Sequence, residues 1–202
     1  MSEPSQENPA SVIGKINLEM LIAFCAVIIS VASFYATYLQ ANAAEKQVTA
    51  MTLPLMNFIT SNINTDTKEP TIAFTLSNKG VGPAKIETFL LKYQNRFYTS
   101  PGEYLKSCCE KEWTLFREKA EEIQNRNLPL MITSDPTQQI IPSGDEIEVM
   151  ILNKHQISNE LWQATDKARR DTEVTACYCS LLNNCYWLTG NNQISDTPSC
   201  RE

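Results

Sequence analysis

Thr71–Tyr93 reads TIAFTLSNKGVGPAKIETFLLKY, and its periodicity decides the fold class. Ile72, Phe74 and Leu76 alternate with Ala73 and Thr75, the period-two pattern of a strand that buries one face. Asn78-Lys79-Gly80-Val81-Gly82-Pro83-Ala84 follows, and Lys85–Tyr93 resumes an apolar run. The segment therefore reads as strand, glycine-rich turn and strand. Gly80 and Gly82 are expected to supply positive φ, Asn78 to bond its own backbone, and Pro83 to stop ladder pairing before the return strand. A phosphate-binding loop does not fit, because no Lys-Ser/Thr follows the glycines and a β-run rather than a helix N-terminus comes next.

The same period recurs on both sides. Leu55–Ile59 opens a strand upstream, and Arg96-Phe97-Tyr98 extends the hairpin region before Pro101-Gly102 turns the chain. Ile147, Val149 and Ile151 alternate with Glu146, Glu148 and Met150, as in a strand with one solvated face. Glu173–Leu181 and Cys185–Leu188, joined at Leu182-Asn183-Asn184, give a second hairpin signal. Two stretches change to helical spacing. Glu110–Asn125 carries Trp113, Phe116, Ala120 and Ile123 on one stripe. Ser158–Arg170 offers Ser158 as N-cap, Leu161, Trp162, Thr165 and Ala168 along one side, and Lys167, Arg169 and Arg170 at the negative end of the helix dipole. Residues 55–202 thus read as a mainly β domain, an immunoglobulin-like β-sandwich with one or two inserted helices.

What precedes that domain is of another character. Residues 1–17 are polar, with Pro4 and Pro9, and read as a disordered tail. Met20–Ala44 has no charged side chain, and MLIAFCAVIISVASFYATYL supplies the ~20 apolar residues that a bilayer core requires. Residues 18–40 are therefore read as a transmembrane helix, with Phe34, Tyr35 and Tyr38 near its interfacial end, and 41–54 as a helical stalk up to Pro54. Two other uses of the segment compete with an uncleaved signal anchor. Ala41-Asn42-Ala43 satisfies the small-x-small rule for cleavage, but the run exceeds the h-region of about 7–15 residues. Gly14 followed by Glu19 and the apolar run resembles the prepilin signature of type IV pilins, from which it departs at Ile13 and Lys15.

Charge and composition narrow the function. The chain of 202 residues carries 17 Lys+Arg against 23 Asp+Glu, a net charge of 17 − 23 = −6, and no basic stretch for a nucleic-acid partner. His155 is the single histidine, which excludes multi-histidine metal sites and restricts any Ser-His-Asp triad to that residue. It lies in a loop without a recognisable partner. Asp135, Asp145, Glu146 and Glu148 read as turn and solvent-face residues. No cofactor motif is present, and the composition argues for a protein that binds or assembles.

Cys25 falls in the apolar segment, while Cys108, Cys109, Cys177, Cys179, Cys185 and Cys200 fall in the domain. An even number there suits an oxidising compartment and structural disulfides. Lys15 and Lys46 flank the span symmetrically, so the cysteines decide the orientation: domain outside the cytoplasm. Cys177 and Cys179 project from one face of their strand, with Cys185 across the turn and Cys200 in the polar tail after Pro198. Connectivity stays open. A reducible Cys177–Cys179 pair would make a thiol–disulfide redox protein, although no cationic neighbour lowers a thiol pKa there. A zinc site of Cys108, Cys109, Cys177 and Cys179 becomes the better reading if the domain is cytoplasmic.

The N-terminal span, the stalk ending at Pro54, the turn Asn78-Lys79-Gly80-Val81-Gly82-Pro83-Ala84 and the late Cys177-Tyr178-Cys179-Ser180…Cys185-Tyr186-Trp187 together resemble a group of uncharacterised bacterial single-span membrane proteins. The resemblance covers most of the chain and implies bacterial origin and this architecture, with no activity attached. The expectation is a non-catalytic interaction module anchored in a bacterial inner membrane, its domain periplasmic and its partner another envelope protein. Arg96–Gly102 and Asn183-Asn184 are its expected contact loops.

Overall fold

A computed structural model describes residues 18–121 and 130–200. The chain forms two compact units, 1–47 and 48–202. In the first lies most of one helix, α1 (Leu18–Met51), 34 residues long. It is long and apolar enough to cross a membrane, and none of its apolar window is buried against protein. The expected span and stalk are one uninterrupted helix that stops three residues short of Pro54, whose ring bars the residue before it from helical geometry.

The second unit is built from β1 (Met56–Ser61), β2 (Thr71–Asn78), β3 (Ala84–Tyr93), β4 (Arg96–Tyr98), β5 (Met131–Thr133), β6 (Ile140–Ile141), β7 (Glu146–Asn153), β8 (Glu173–Cys179), β9 (Cys185–Gly190) and β10 (Gln193–Thr197). Among the described residues three α-helices interrupt them, α2 (Pro101–Cys108), α3 (Glu110–Glu121) and α4 (Asn159–Ala168), the last followed by a 3-10 turn at Arg169–Asp171. One sheet has the order β1-β2-β7-β5, and the other β10-β9-β8-β3-β4 with β6 added beside β3; every pairing is antiparallel.

The expected hairpin over Thr71–Tyr93 is not formed. β2 pairs with β1 and β7, whereas β3 pairs with β8, β4 and β6, so Asn78–Pro83 crosses from one sheet to the other. β2 keeps its period-two burial and β3 keeps it on either side of a register shift between Ile86 and Thr88, a pattern that a crossover satisfies as well as a hairpin does. Ile72, Phe74 and Leu76 of β2 and Ile86 and Leu91 of β3 are all fully buried in one shared core. True hairpins form where short turns carry left-handed residues. Gln94 (φ 48°) and Asn95 (φ 61°) join β3 to β4, and Asn183 (φ 60°) sits in the β8–β9 turn.

Three further local expectations shift. Pro101-Gly102 opens α2 instead of a turn: Ser100 accepts from the Glu103 amide, Pro101 needs no N–H at the first position, and Glu103 Oε2 accepts from Thr99. In β7 the register skips Val149 between Phe74↔Met150 and Thr75↔Glu148, so the pleat changes phase. Val149, Met150 and Leu152 are buried as a result, and Ile151 is turned outward. Ser158 precedes α4 without capping it; its hydroxyl donates to Asn153 O and accepts from the His155 amide. Gln193–Thr197, for which no element is expected, is a strand, because Gly190 (φ 52°) and Asn192 (φ 59°) turn the chain back along β9. The end expected for α3 at Asn125, with Ile123, lies outside the described residues.

Aromatic rings centre the core. Phe58 of β1 meets Phe74 at 5.8 Å and Phe89 of the other sheet at 6.3 Å. Tyr104 of α2 packs on Phe74 at 5.5 Å and Tyr93 at 5.8 Å, and accepts a hydrogen bond from Thr172 Oγ1. Burial raises the Tyr104 phenol above its ordinary pKa. The Asn192 side chain joins the sheets: its Oδ1 accepts from Phe58 N at 2.7 Å and its Nδ2 donates to Phe58 O at 3.0 Å, covering part of the free edge of β1.

Arg169, just after α4, donates through Nε to Asp166 at 2.7 Å and through a guanidinium N–H to Thr60 O at 3.4 Å. Burial pushes the Asp166 carboxyl up, but Arg169 outweighs it and holds the group below the usual range. A depressed folded pKa stabilises above the unfolded value, and the gain is lost as pH falls through the folded value. Asp166→Asn is therefore expected to cost about 1–2 kcal/mol at neutral pH. Urea unfolding from about pH 7 down to 3 should show the two proteins converging at the acid end.

Candidate functional site

Register gathers one set of strand ends. Met56 faces Asn78, Ser77 faces Glu146, Ala84 faces Ile141, Lys85 faces Cys179, and Cys185 faces both Cys179 and Thr197. The loops 79–83, 142–145 and 180–184 therefore share one end of the unit, and the chain enters the unit there through Thr52–Leu55.

Asn78 holds this end together. Its Oδ1 accepts from Gly80 N at 3.0 Å and Leu55 N at 3.2 Å, and its Nδ2 donates to Gly82 O at 2.8 Å and Ile141 O at 3.1 Å. The residue is fully buried, so one carboxamide replaces the ladder partners that the crossover removes. Gly80 and Gly82 do not have positive φ. Their requirement is space. A Cβ on Gly80 would lie 2.3 Å from Leu55 N, and one on Gly82 would lie 2.1 Å from Thr52 O. Val81 N and Gly82 N both donate to Leu53 O, and Ser143 Oγ donates to Gly80 O. Pro83 precedes β3, as expected. The part of Thr52–Leu55 and Ser143 was not legible, because their contacts are to backbone far away in sequence.

The cysteines staple the same end. Cys177 is bonded to Cys200 with S–S 2.01 Å, and Cys179 to its register partner Cys185 with S–S 2.06 Å. Cys177 and Cys179 are not joined to each other; residues two apart on a strand are separated by about 7 Å, at the limit of a bridge. Cys108 and Cys109 are bonded to each other at the α2–α3 junction. Among the described residues the sulfurs that cluster are those of Cys179, Cys185 and Cys200, a set without Cys108 and Cys109. Tyr178 and Tyr186 stack at 5.6 Å beside the pairs, and burial pushes the Tyr178 phenol up to about 12.

Around these buried groups the loops expose three large apolar side chains. Val81, Leu181 and Leu182 are 64%, 60% and 48% exposed, a clustering that the sequence hid because their loops are far apart in the chain. Of the expected contact loops, Asn183-Asn184 belongs to this cluster, while Arg96–Tyr98 is the edge strand β4 with an exposed Phe97. A separate cleft of 470 Å³ lies on the outer face of the β1-β2-β7-β5 sheet, with Asp66, Glu69, Glu146 and Glu148 among its lining residues. Glu146 and Glu148 thus occupy the solvated face expected of them. His155 is in a loop, its Nδ1 accepting from Ile157 N at 3.4 Å.

Comparison with protein-family models, curated proteins and solved structures yields no match.

Proposed function

We propose that this chain is a membrane-anchored extracytoplasmic interaction module of a bacterial envelope, with an immunoglobulin-like domain that binds another envelope protein. The observation that carries the reading is an unburied apolar helix of spanning length covalently continuous with a β-rich unit whose six cysteines are all paired. Paired cysteines of this density belong to oxidising compartments. The resemblance to bacterial single-span proteins points to a bacterial origin, and the paired cysteines point to the periplasmic side of its inner membrane.

Strand order supports the fold. The order β1-β2-β7-β5 corresponds to A-B-E-D of an immunoglobulin domain, and β9-β8-β3-β4 to G-F-C-C′, with β10 extending the second sheet. The B–C and F–G loops of that scheme are 79–83 and 180–184. In variable domains those loops form the recognition end, and here they carry Val81, Leu181 and Leu182. Loops on a rigid sheet scaffold suit binding, and anchorage raises the effective concentration for neighbours in the same membrane.

Labelling of intact spheroplasts with a membrane-impermeant maleimide, before and after reduction, tests the reading. Labelling of domain cysteines only after external reduction is the expected result. Free thiols reached only after lysis would place the domain in the cytoplasm and overturn it.

A further inference from the structure

The β8–β9 hairpin and the segment after β10 bring three sulfurs together, with a fourth bonded to one of them. Cys200 Sγ lies 3.6 Å from Cys179 Sγ, to which it is not bonded, and the sulfurs of Cys179, Cys185 and Cys200 are all within 4.8 Å of one another. Cys177 Sγ, bonded to Cys200 at 2.01 Å, is the fourth. Cys177, Cys179 and Cys185 are buried and Cys200 is half-buried, so the group is sheltered but reachable from one side. Four thiolates around zinc at Zn–S of about 2.3 Å stand about 3.8 Å apart. The unbonded Cys179–Cys200 contact already has that spacing. Reduction frees the bonded pairs to separate and Cys177 to approach Cys179 and Cys185, and a change of χ1 rotamer moves a cysteine sulfur by about 3 Å without moving backbone.

We propose that Cys177, Cys179, Cys185 and Cys200, once reduced, form a tetrathiolate site for zinc or a similar borderline-soft divalent cation. The two disulfides and the metal site are alternative states of the same side chains. A dithiol reductant gives two electrons and two protons to each disulfide and is itself left as a disulfide. The four resulting thiols lose four protons as four metal–sulfur bonds form, and the centre carries a net charge of −2. Thiolate rather than thiol is the ligand, so metal binding releases protons, and its free energy is coupled to folding of the turn and tail. Cys108 and Cys109 have no part in it, being held at the α2–α3 junction.

The test uses the full chain in detergent, reduced anaerobically and freed of reductant, then titrated with cobalt(II) as a spectroscopic substitute for zinc. Visible ligand-field bands and near-ultraviolet sulfur-to-cobalt charge-transfer bands are expected at one cobalt per chain, bleached by an equal amount of zinc. Zinc should protect Cys177, Cys179, Cys185 and Cys200 from alkylation, as mapped by peptide mass spectrometry, and leave Cys108 and Cys109 reactive. The double variant Cys108→Ser/Cys109→Ser should keep the cobalt spectrum, and Cys179→Ser should lose it. Far-ultraviolet circular dichroism follows the fold, because a reduced chain that unfolds should regain strand signal with the metal. Absence of the bands, protection of a different cysteine set, or binding unchanged in Cys179→Ser would each overturn the proposal.

Discussion

Gly82→Ala is expected to lower unfolding stability by more than about 3 kcal/mol, beyond the usual cost of overpacking a core. The new methyl carbon would stand 2.1 Å from Thr52 O and 2.3 Å from Thr52 C. Both are backbone atoms of a segment whose Leu53 carbonyl accepts from Val81 and Gly82, so relief requires breaking those hydrogen bonds. Gly80→Ala meets Leu55 N and Leu53 O at 2.3 and 2.4 Å and should behave alike. Gly144 provides the contrast. Its φ is +81° and nothing lies within 4 Å of its ideal Cβ, so Gly144→Ala should cost only the left-handed penalty of about 1–2 kcal/mol. Denaturant unfolding of the three variants checks the ordering. Equal losses at all three positions would mean that Thr52–Leu55 is not packed on the 79–83 loop.

Cys177→Ser is expected to cost about 3 kcal/mol and Cys185→Ser about 2 kcal/mol, since the bridges close loops of 23 and 6 residues and the unfolded-state entropy lost scales with the logarithm of loop length. Cys177 is wholly buried, which adds the cost of an unpartnered hydroxyl to its variant. Cys108→Ser should cost least of the three, as a bridge between adjacent residues closes almost no chain. Thermal unfolding with and without reductant is the measurement. Under reductant Cys185→Ser, Cys108→Ser and the unmodified protein should converge, with Cys177→Ser remaining below them by the cost of its buried hydroxyl.

Much of the fold was legible one strand at a time. The alternation of Ile72, Phe74 and Leu76, the stripe Leu161, Trp162, Thr165 and Ala168, and the Cys177–Cys179 to Cys185 hairpin all appear where periodicity placed them. The misreadings share a cause. Pro101-Gly102 favours a turn in isolation, whereas Ser100 and Glu103 cap a helix there, and Val149 fits a regular alternation because a bulge leaves no mark on hydrophobicity. In the candidate site, cysteine identity was readable and connectivity was not, since Cys200 reaches Cys177 only after β10 folds back.

The amino-acid sequence by itself determined the apolar N-terminal segment, the β-rich character of residues 55–202, the glycine-rich link and the cysteine inventory, because these follow from side-chain polarity and period. Tertiary structure alone decided that β2 and β3 lie in different sheets, that Gly80 and Gly82 are required by close backbone approach, and that four cysteines meet at one end. Those outcomes depend on which strand becomes a neighbour. Period-two burial is satisfied equally by a hairpin and by a crossover, and the buried Asn78 carboxamide bonding Leu55, Gly80, Gly82 and Ile141 stabilises the crossover.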